Sequence, residues 1–379
     1  MQRLPLLIIL IALTFMQPLT AVRGQAQPKI RAVSIPDFPA YDLAVSPNSA
    51  TAAVYFGSQG RILAGVGLAE YQVIPALTHI LLIDLNTGEA LRRIDGVGDY
   101  WSDVQFSPDG TRLAGYALNG DLYVWDSASG AQLQRITAVP GHHSIRFLGD
   151  NSTLLVLMGQ GTPPSYFTVW TLDGGGVTRV LRAPLTSFGQ IPLSSTMERW
   201  DYAYSAFDVS PDGTRIASTT GNSTVSPHSA ADFTSETVRA STSADQARFH
   251  VRTVRFSQDG AHLIYTDDLS QEIVFWNIAE NRGDFAVPTA DQRPASLAFF
   301  PPTDLLVWPG SESLFALNLN DPQPITEIAL LTEAESDVGL RFMRQRAPLH
   351  FLRDGELVVG GFFTSSDSAG SLLKIVTFP

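Results

Sequence analysis

The chain has 379 residues, enough for one large domain or two ordinary ones, and at 44% hydrophobic and 16% charged it can bury a sizeable core, which argues against disorder throughout. Its 25 basic residues stand against 37 acidic ones, a formal charge of −12, and that balance argues against nucleic acid or an anionic membrane as partner. The absence of cysteine excludes disulfides, thiolate metal sites and thiol catalysis.

Residues 1–26 read as a secretory signal peptide. Arg3 supplies a short positive start, LPLLIILIALTFM (4–16) is an apolar run too short to span a bilayer comfortably, Gln17-Pro18 breaks it, and Gly24-Gln25-Ala26 offers small residues for cleavage. The alternative is an uncleaved membrane anchor. Cleavage predicts a secreted or periplasmic protein made of residues 27–379, with no stable membrane insertion and a still more acidic balance, since Arg3 and Arg23 leave with the leader. Residues 30–35, Ile-Arg-Ala-Val-Ser-Ile, alternate apolar and polar side chains and predict a strand.

From there the chain repeats itself. AVSPNSATAAV (44–54), FSPDGTRLA (106–114), RFLGDNSTLLVL (146–157), VSPDGTRIA (209–217), FSQDGAHLI (256–264), AFFPPTDLLV (298–307) and HFLRDGELVV (350–359) are copies of one phrase, with markers at 46, 107, 148, 210, 257, 300 and 352. The shorter spacings, such as 107 to 148 and 257 to 300, match the roughly 40–45 residues of a four-stranded propeller blade. Before each marker apolar residues alternate, as in Val104-Gln105-Phe106, which predicts a half-buried strand. Pro-Asp-Gly then turns the chain: proline presets φ, the carboxylates of Asp109, Asp212 and Asp259 cap the turn, and glycine accepts a positive φ. In the second copy a strand follows from Arg112, Asn119-Gly120 turns it, DLYVWD (121–126) is a third strand, and 131–136 a fourth after Ser127–Gly130. Third strands recur as HILLID (79–84), YFTVWT (166–171), EIVFWN (272–277), SLFALN (313–318) and SLLKIV (371–376), with Trp125, Trp170 and Trp276 in equivalent places. Residues 218–242 of the fourth copy offer no aromatic-rich third strand, and 221–233 read as an insertion. The last copy has three strands, and 30–35 is expected to supply its fourth. The expectation is an all-β, seven-bladed β-propeller of four-stranded antiparallel blades, closed by the N-terminal strand, which removes a free sheet edge.

The SPDG turns, Asn119-Gly120, Trp125-Asp126 and Gly141-His142 make the chain resemble the WD-repeat family of β-propellers; the SPDGT-R phrase is also similar to Tol-system periplasmic propellers and to the propeller domains of prolyl peptidases. The resemblance covers essentially residues 29–379. It implies a structural hydrogen bond for His142 and structural places for Trp125, Asp126, Trp170 and Trp276; Trp-Asp is kept in full once.

In such a meander the first–second and third–fourth turns share one end. Those turns are short, whereas 58–78, 160–165, 183–203, 221–233, 332–347 and 364–370 fall at the other end. Loops elaborated on one side of a rigid scaffold are where binding concentrates. Two carry recognisable chemistry: MERWDYAY (197–204) with Arg199, Trp200 and Tyr202, and GLRFMRQRAP (339–348) with Arg341, Arg344 and Arg346. Packing of Trp200 into the core, and pairing of the arginines with Glu333, Glu335 and Asp337, are the structural alternatives. No hydrolase elbow, Walker loop or HExxH sequence is present, and adjacent His142-His143 would point to opposite faces of a strand, so no catalytic residue, metal site or cofactor is assigned. The expected function is binding of a protein or peptide partner through the insertion-bearing face. The alternative is a propeller hydrolase or lyase acting on a carbohydrate or lactone, which requires at least three acidic or histidine side chains to meet at the central channel; a passive surface protein is a third possibility.

Overall fold

A computed structural model describes the chain from 28 to 378, apart from 36–39, 49–50, 57–78, 96–100, 118, 138–143, 159–165, 173–175, 182–203, 221–223, 233, 235–237, 240–250, 252, 258, 268–269, 290–293, 295, 311–312, 321–324, 331–339, 342–348, 353 and 365–368. The described residues form seven antiparallel sheets in a ring, a seven-bladed β-propeller. The blades occupy 40–94, 101–137, 144–181, 204–239, 254–288, 298–329 and 340–377. Lys29–Ile35 adds itself to the seventh, antiparallel to Ala369–Thr377, with Lys29 opposite Thr377 and Ile35 opposite Ser371. The ring therefore closes through the N-terminal strand.

Burial follows position within a blade. Outer strands are exposed, as Ala90–Ile94 is at all but Ile94. Second strands such as Arg112–Ala117 are buried along nearly their whole length, because each blade packs a neighbour on both faces. Seven apolar clusters result, one at each junction. Trp101, Val104, Phe106, Leu113, Tyr123 and Trp125 of the second blade pack on Ala44, Ile80, Leu82 and Ile94 of the first. Val33 of the closing strand joins Leu43, Val54 and Leu81 of blade one to Val358, Leu373 and Ile375 of blade seven.

The marker turns have one construction. Ser107 Oγ donates to Asp109 Oδ1 (2.7 Å) and accepts from Arg112 N (2.9 Å), Asp109 Oδ1 accepts from Thr111 N (2.9 Å), and Gly110 sits at φ +76°. Ser210, Asp212 and Gly213 repeat this at 2.6, 2.9 and 3.0 Å with φ +70°, and Ser257, Asp259 and Gly260 do so with φ +68°. The Ser210 hydroxyl, then the Thr214 amide and hydroxyl, hold the Asp212 carboxyl down at about 2. In blade six Pro301–Thr303 makes a 3-10 turn, and Asp304 takes the left-handed conformation at φ +50°.

Neighbouring turns touch. A Cβ added at Gly213 would stand 2.9 Å from Leu148 O and 3.1 Å from Gly149 Cα of the preceding blade. Gly213→Ala is expected to cost about 2 kcal/mol, read as a lowered urea midpoint, from the clash and the positive φ together. Gly283→Ala is the control, since its Cβ would meet only Trp276 at 3.9 Å.

Two expectations about insertions are corrected. In blade four Thr224–Ser229 is a third strand, so 221–233 is not a loop. His228 stands opposite Ile216 as Trp125 stands opposite Leu113 and Trp170 opposite Leu154. It is buried and hydrogen-bonded to Ser218 Oγ (2.8 Å), which lets an imidazole fill an indole's place. Pro227 and His228 conceal this strand from an apolar pattern. In blade seven Leu357–Thr364 and Ala369–Thr377 form an elongated hairpin, so Thr364, Ala369 and Gly370, at the ends of the expected insertion at 364–370, are strand.

Candidate functional site: the axial channel and the loop-bearing end

On the innermost strands, residues one position before the marker pack between blades, and the polar residues two positions before it turn the other way, toward the axis. Ile145 and Phe147 are buried while Arg146 between them is partly exposed; Val254 and Phe256 are buried while Arg255 is partly exposed. The axial layer is thus Gln105, Arg146, Asp208, Arg255 and His350 from five blades; in the other two this position holds Ala44 and Ala298, which are buried in the blade junctions. The field at His350 supports this placement. Its imidazole, on blade seven, feels Arg255 of blade five and Arg146 of blade three, neither a neighbouring blade, so the three groups approach across the axis.

Two charged clasps hold this layer. Asp103 Oδ2 accepts from Ile145 N (2.9 Å) and from Arg146 Nη1 (3.1 Å) of the next blade, and Asp103 Oδ1 accepts from Gln105 Nε2 (3.1 Å). Asp208 Oδ2 accepts from Phe256 N (2.9 Å), and its Oδ1 lies 3.6 Å from Arg255 Nη1. Each carboxylate thereby satisfies an amide on the edge that an innermost strand turns toward the channel, and neutralises the adjacent arginine.

Burial, then the Arg255 and Arg146 charges, pushes the His350 imidazole down to about 4, against a hydrogen bond with the Leu43 backbone that raises it. His350 is only partly exposed, so it is neutral in the folded chain at neutral pH. Because the unfolded chain protonates His350 near 6.5 and the folded chain only near 4, its stabilising contribution is complete above pH 6.5 and lost as pH falls through 4. The expected loss is on the order of 2 kcal/mol. Urea midpoints between pH 7 and 4 should show a slope that His350→Gln flattens.

No protein-family model matches the chain, and no curated protein matches it in sequence.

The residues read from the sequence distribute as follows. Arg199, Trp200, Tyr202, Arg344, Arg346 and His142 lie outside the described residues. Arg341 is in the two-residue strand Leu340–Arg341, paired with Phe362 on the elongated hairpin. Trp125 is buried beneath Trp101 and stacks on Tyr123 at 5.6 Å, and Asp126 Oδ1 caps the next turn through Ser129 N (2.7 Å). Trp170 Nε1 donates to Thr168 Oγ1 of its own strand (2.6 Å), whereas Trp276 is half-buried against the fourth–fifth blade junction. Asp109, Asp212 and Asp259 lie at the opposite end from the long links, in the marker turns. Among the described residues no group of three or more His, Asp or Glu is placed to hold a metal ion, and no helix is long and apolar enough to cross a membrane.

Sequence reasoning missed Gln105, Asp103, Arg146, Asp208, Arg255 and His350. A signal existed: once the copies are aligned on their markers, polar residues recur at the axial position in five of the seven. Nothing in a single copy distinguishes such a residue from a solvent-facing one.

The strand boundaries also fix where the long links attach. Phe56 to Ile80, Leu181 to Tyr204, Arg239 to Val254 and Ala329 to Leu349, the last interrupted by the short strand Leu340–Arg341, join second to third strands or blade to blade, all at the end away from the marker turns. At the marker end connections are shorter, five residues from Phe106 to Arg112 and from Asp126 to Gln132 and up to eight from Ser229 to Val238.

Proposed function

We propose that this propeller is a WD-repeat-like scaffold, working outside the cytoplasm, that binds a protein or peptide partner through the end bearing its long links. The one-sided attachment of those links supports the reading. The Trp200 and Arg344 segments belong to two of them, and the leader-like residues 1–26 support the location. Photo-crosslinking side chains placed at Trp200 and Arg344, compared with Ala128 and Thr303 at the marker end, test it in the source cell envelope. Discrete adducts of common mass from the first pair alone are expected; adducts shared equally by both ends, or absent from both, overturn it.

One observation favours the second reading, a hydrolase or lyase at the central channel. Asp103, Asp208 and His350 supply the three acidic or histidine groups that such a site requires. Both carboxylates are engaged in interblade bonds, however, and their withdrawal would cost stability, so the scaffold reading has precedence. Turnover of lactones or glycosides by the mature chain, abolished by His350→Gln with an unchanged thermal midpoint, would reverse that order.

A further inference from the structure

Two of the seven marker turns carry an arginine that reaches the next turn; elsewhere the same place holds other residues, such as Thr51, Thr153, Leu305 and, in blade five, His262. Five residues after the marker serine stand Arg112, Arg215 and His262. Arg112 Nη1 reaches across the junction to Asn151 O of the next turn (3.2 Å). Arg215 Nη2 likewise donates to Gly260 O, and its guanidinium lies 5.6 Å from the centre of the Phe256 ring. Each arginine fills the space between two turns with an apolar stem and a planar cation.

At the junction of blades five and six this filling is missing. His262 is too short to cross and is tied back to Asp284 of its own blade (2.9 Å). A cavity of about 550 Å³ lies there instead, lined among others by Asp259, His262, Phe275, Phe285, Phe299 and Asp304. The correspondence with the arginine-filled junction is residue by residue. Phe299 precedes its marker as Phe256 does, and Asp304 holds the place of Ala261, its carbonyl accepting from Leu319 N (2.9 Å) as that of Ala261 accepts from Ile278 N (3.1 Å). Phe275 stacks on Phe285 at 4.3 Å and meets Phe299 edge-on at 6.2 Å, extending the aromatic wall to the surface, where Phe285 is 45% exposed. Where Ala261 offers only a methyl group, Asp304 adds a carboxylate. Its Oδ2 accepts from Asn320, while its Oδ1 has no bond among the described residues.

We infer that the slot between blades five and six binds the side chain of an arginine presented by a partner polypeptide. Such a guanidinium would lie against Phe299, with its stem along Phe275 and Phe285 and its charge answered by Asp304 and Asp259. Arginine suits this better than lysine because a planar cation can stack on a ring face while donating to a carboxylate in the same plane. The site lies at the marker end, so it goes beyond the proposed loop-borne interface and stands or falls separately from it.

The test uses the mature chain and three blocked tripeptides, Gly-Arg-Gly, Gly-Lys-Gly and Gly-citrulline-Gly, titrated by calorimetry at low salt. The arginine peptide is expected to bind with a Kd of about 1 mM, the lysine peptide about fivefold more weakly, and the uncharged citrulline peptide more weakly still. His262→Arg should fill the slot from within and weaken the arginine peptide about tenfold while keeping or raising the thermal midpoint; Asp304→Asn should weaken it about fivefold. Absence of binding at about ten times that Kd, equal binding of citrulline, or undiminished binding by both variants would overturn the inference. Should His262→Arg fail to fold, Asp304→Asn and the citrulline comparison still decide it.

Discussion

A chain beginning at Pro36 is expected to lose its cooperative unfolding transition and to aggregate at concentrations where the complete fold is monodisperse. The truncation removes Lys29–Ile35 and with it the whole ladder to Ala369–Thr377. Each ladder hydrogen bond contributes about 1 kcal/mol net and burial of a valine about 1.5 kcal/mol, so the loss is comparable with the roughly 5–15 kcal/mol by which domains are stable. Val33 would leave a gap among Leu43, Val54, Leu81, Val358, Leu373 and Ile375. Arg31 would no longer donate to Leu85 O across the seam or pair with Glu356. What remains is a free edge on the strand that ends at Thr377, the kind of edge that recruits other chains. Urea denaturation and size-exclusion chromatography of the truncated protein check this, and a synthetic peptide of residues 28–36 added during refolding should restore the monomer. An unchanged midpoint would show that the seven apolar junctions hold without closure.

The second large effect is expected at the axis. Asp103→Ala should cost about 3 kcal/mol, because it strips the Ile145 amide of its acceptor and leaves Arg146 without this carboxylate where neither charge is well hydrated. The side chains of Asp103 and Arg146 are 11% and 25% exposed. Asp208→Ala should cost less, about 1–2 kcal/mol, since the pair with Arg255 is longer at 3.6 Å and the side chains are 19% and 34% exposed. Asp103→Asn should fall between wild type and alanine, as its amide oxygen can still accept from Ile145 N. A double-mutant cycle with Arg146→Met separates the ion pair from the amide bond. If Asp103→Ala shifts stability by less than about 0.5 kcal/mol, the clasp is a contact without energetic weight.

The blade number, the closing strand and the turn chemistry were legible because they rest on local rules. Gly110 and Gly213 take positive φ where Pro-Asp-Gly requires it, and Lys29–Ile35 pairs along its whole length with the last strand, with Val33 buried while Ile30 and Ala32 are exposed. What escaped depends on neighbours. The strand at Thr224–Ser229 has its indole position filled by His228, whose burial is eased by a hydrogen bond with Ser218, two residues along the neighbouring strand from its partner Ile216. Arg146, Arg255 and His350 are far apart in sequence, and the ring alone brings them within reach of one another. The cavity beside Phe299 is lined by residues of two blades, His262 and Phe275 from one and Phe299 and Asp304 from the next, which only the folded ring brings together. Of the candidate binding residues, only Arg341 falls within the described strands.

The antiparallel pairing of the first strand with the last places Lys29 directly opposite Thr377. Tension applied between the two ends of the fold would therefore load a single residue pair at a time, peeling the seam from that point toward Ile35 instead of shearing all pairs at once. Low rupture forces in single-molecule pulling are the consequence, with release of the Lys29–Ile35 segment as the first event and loss of the ring following from it. The same geometry gives a translocating chain an easy way to be opened from either end.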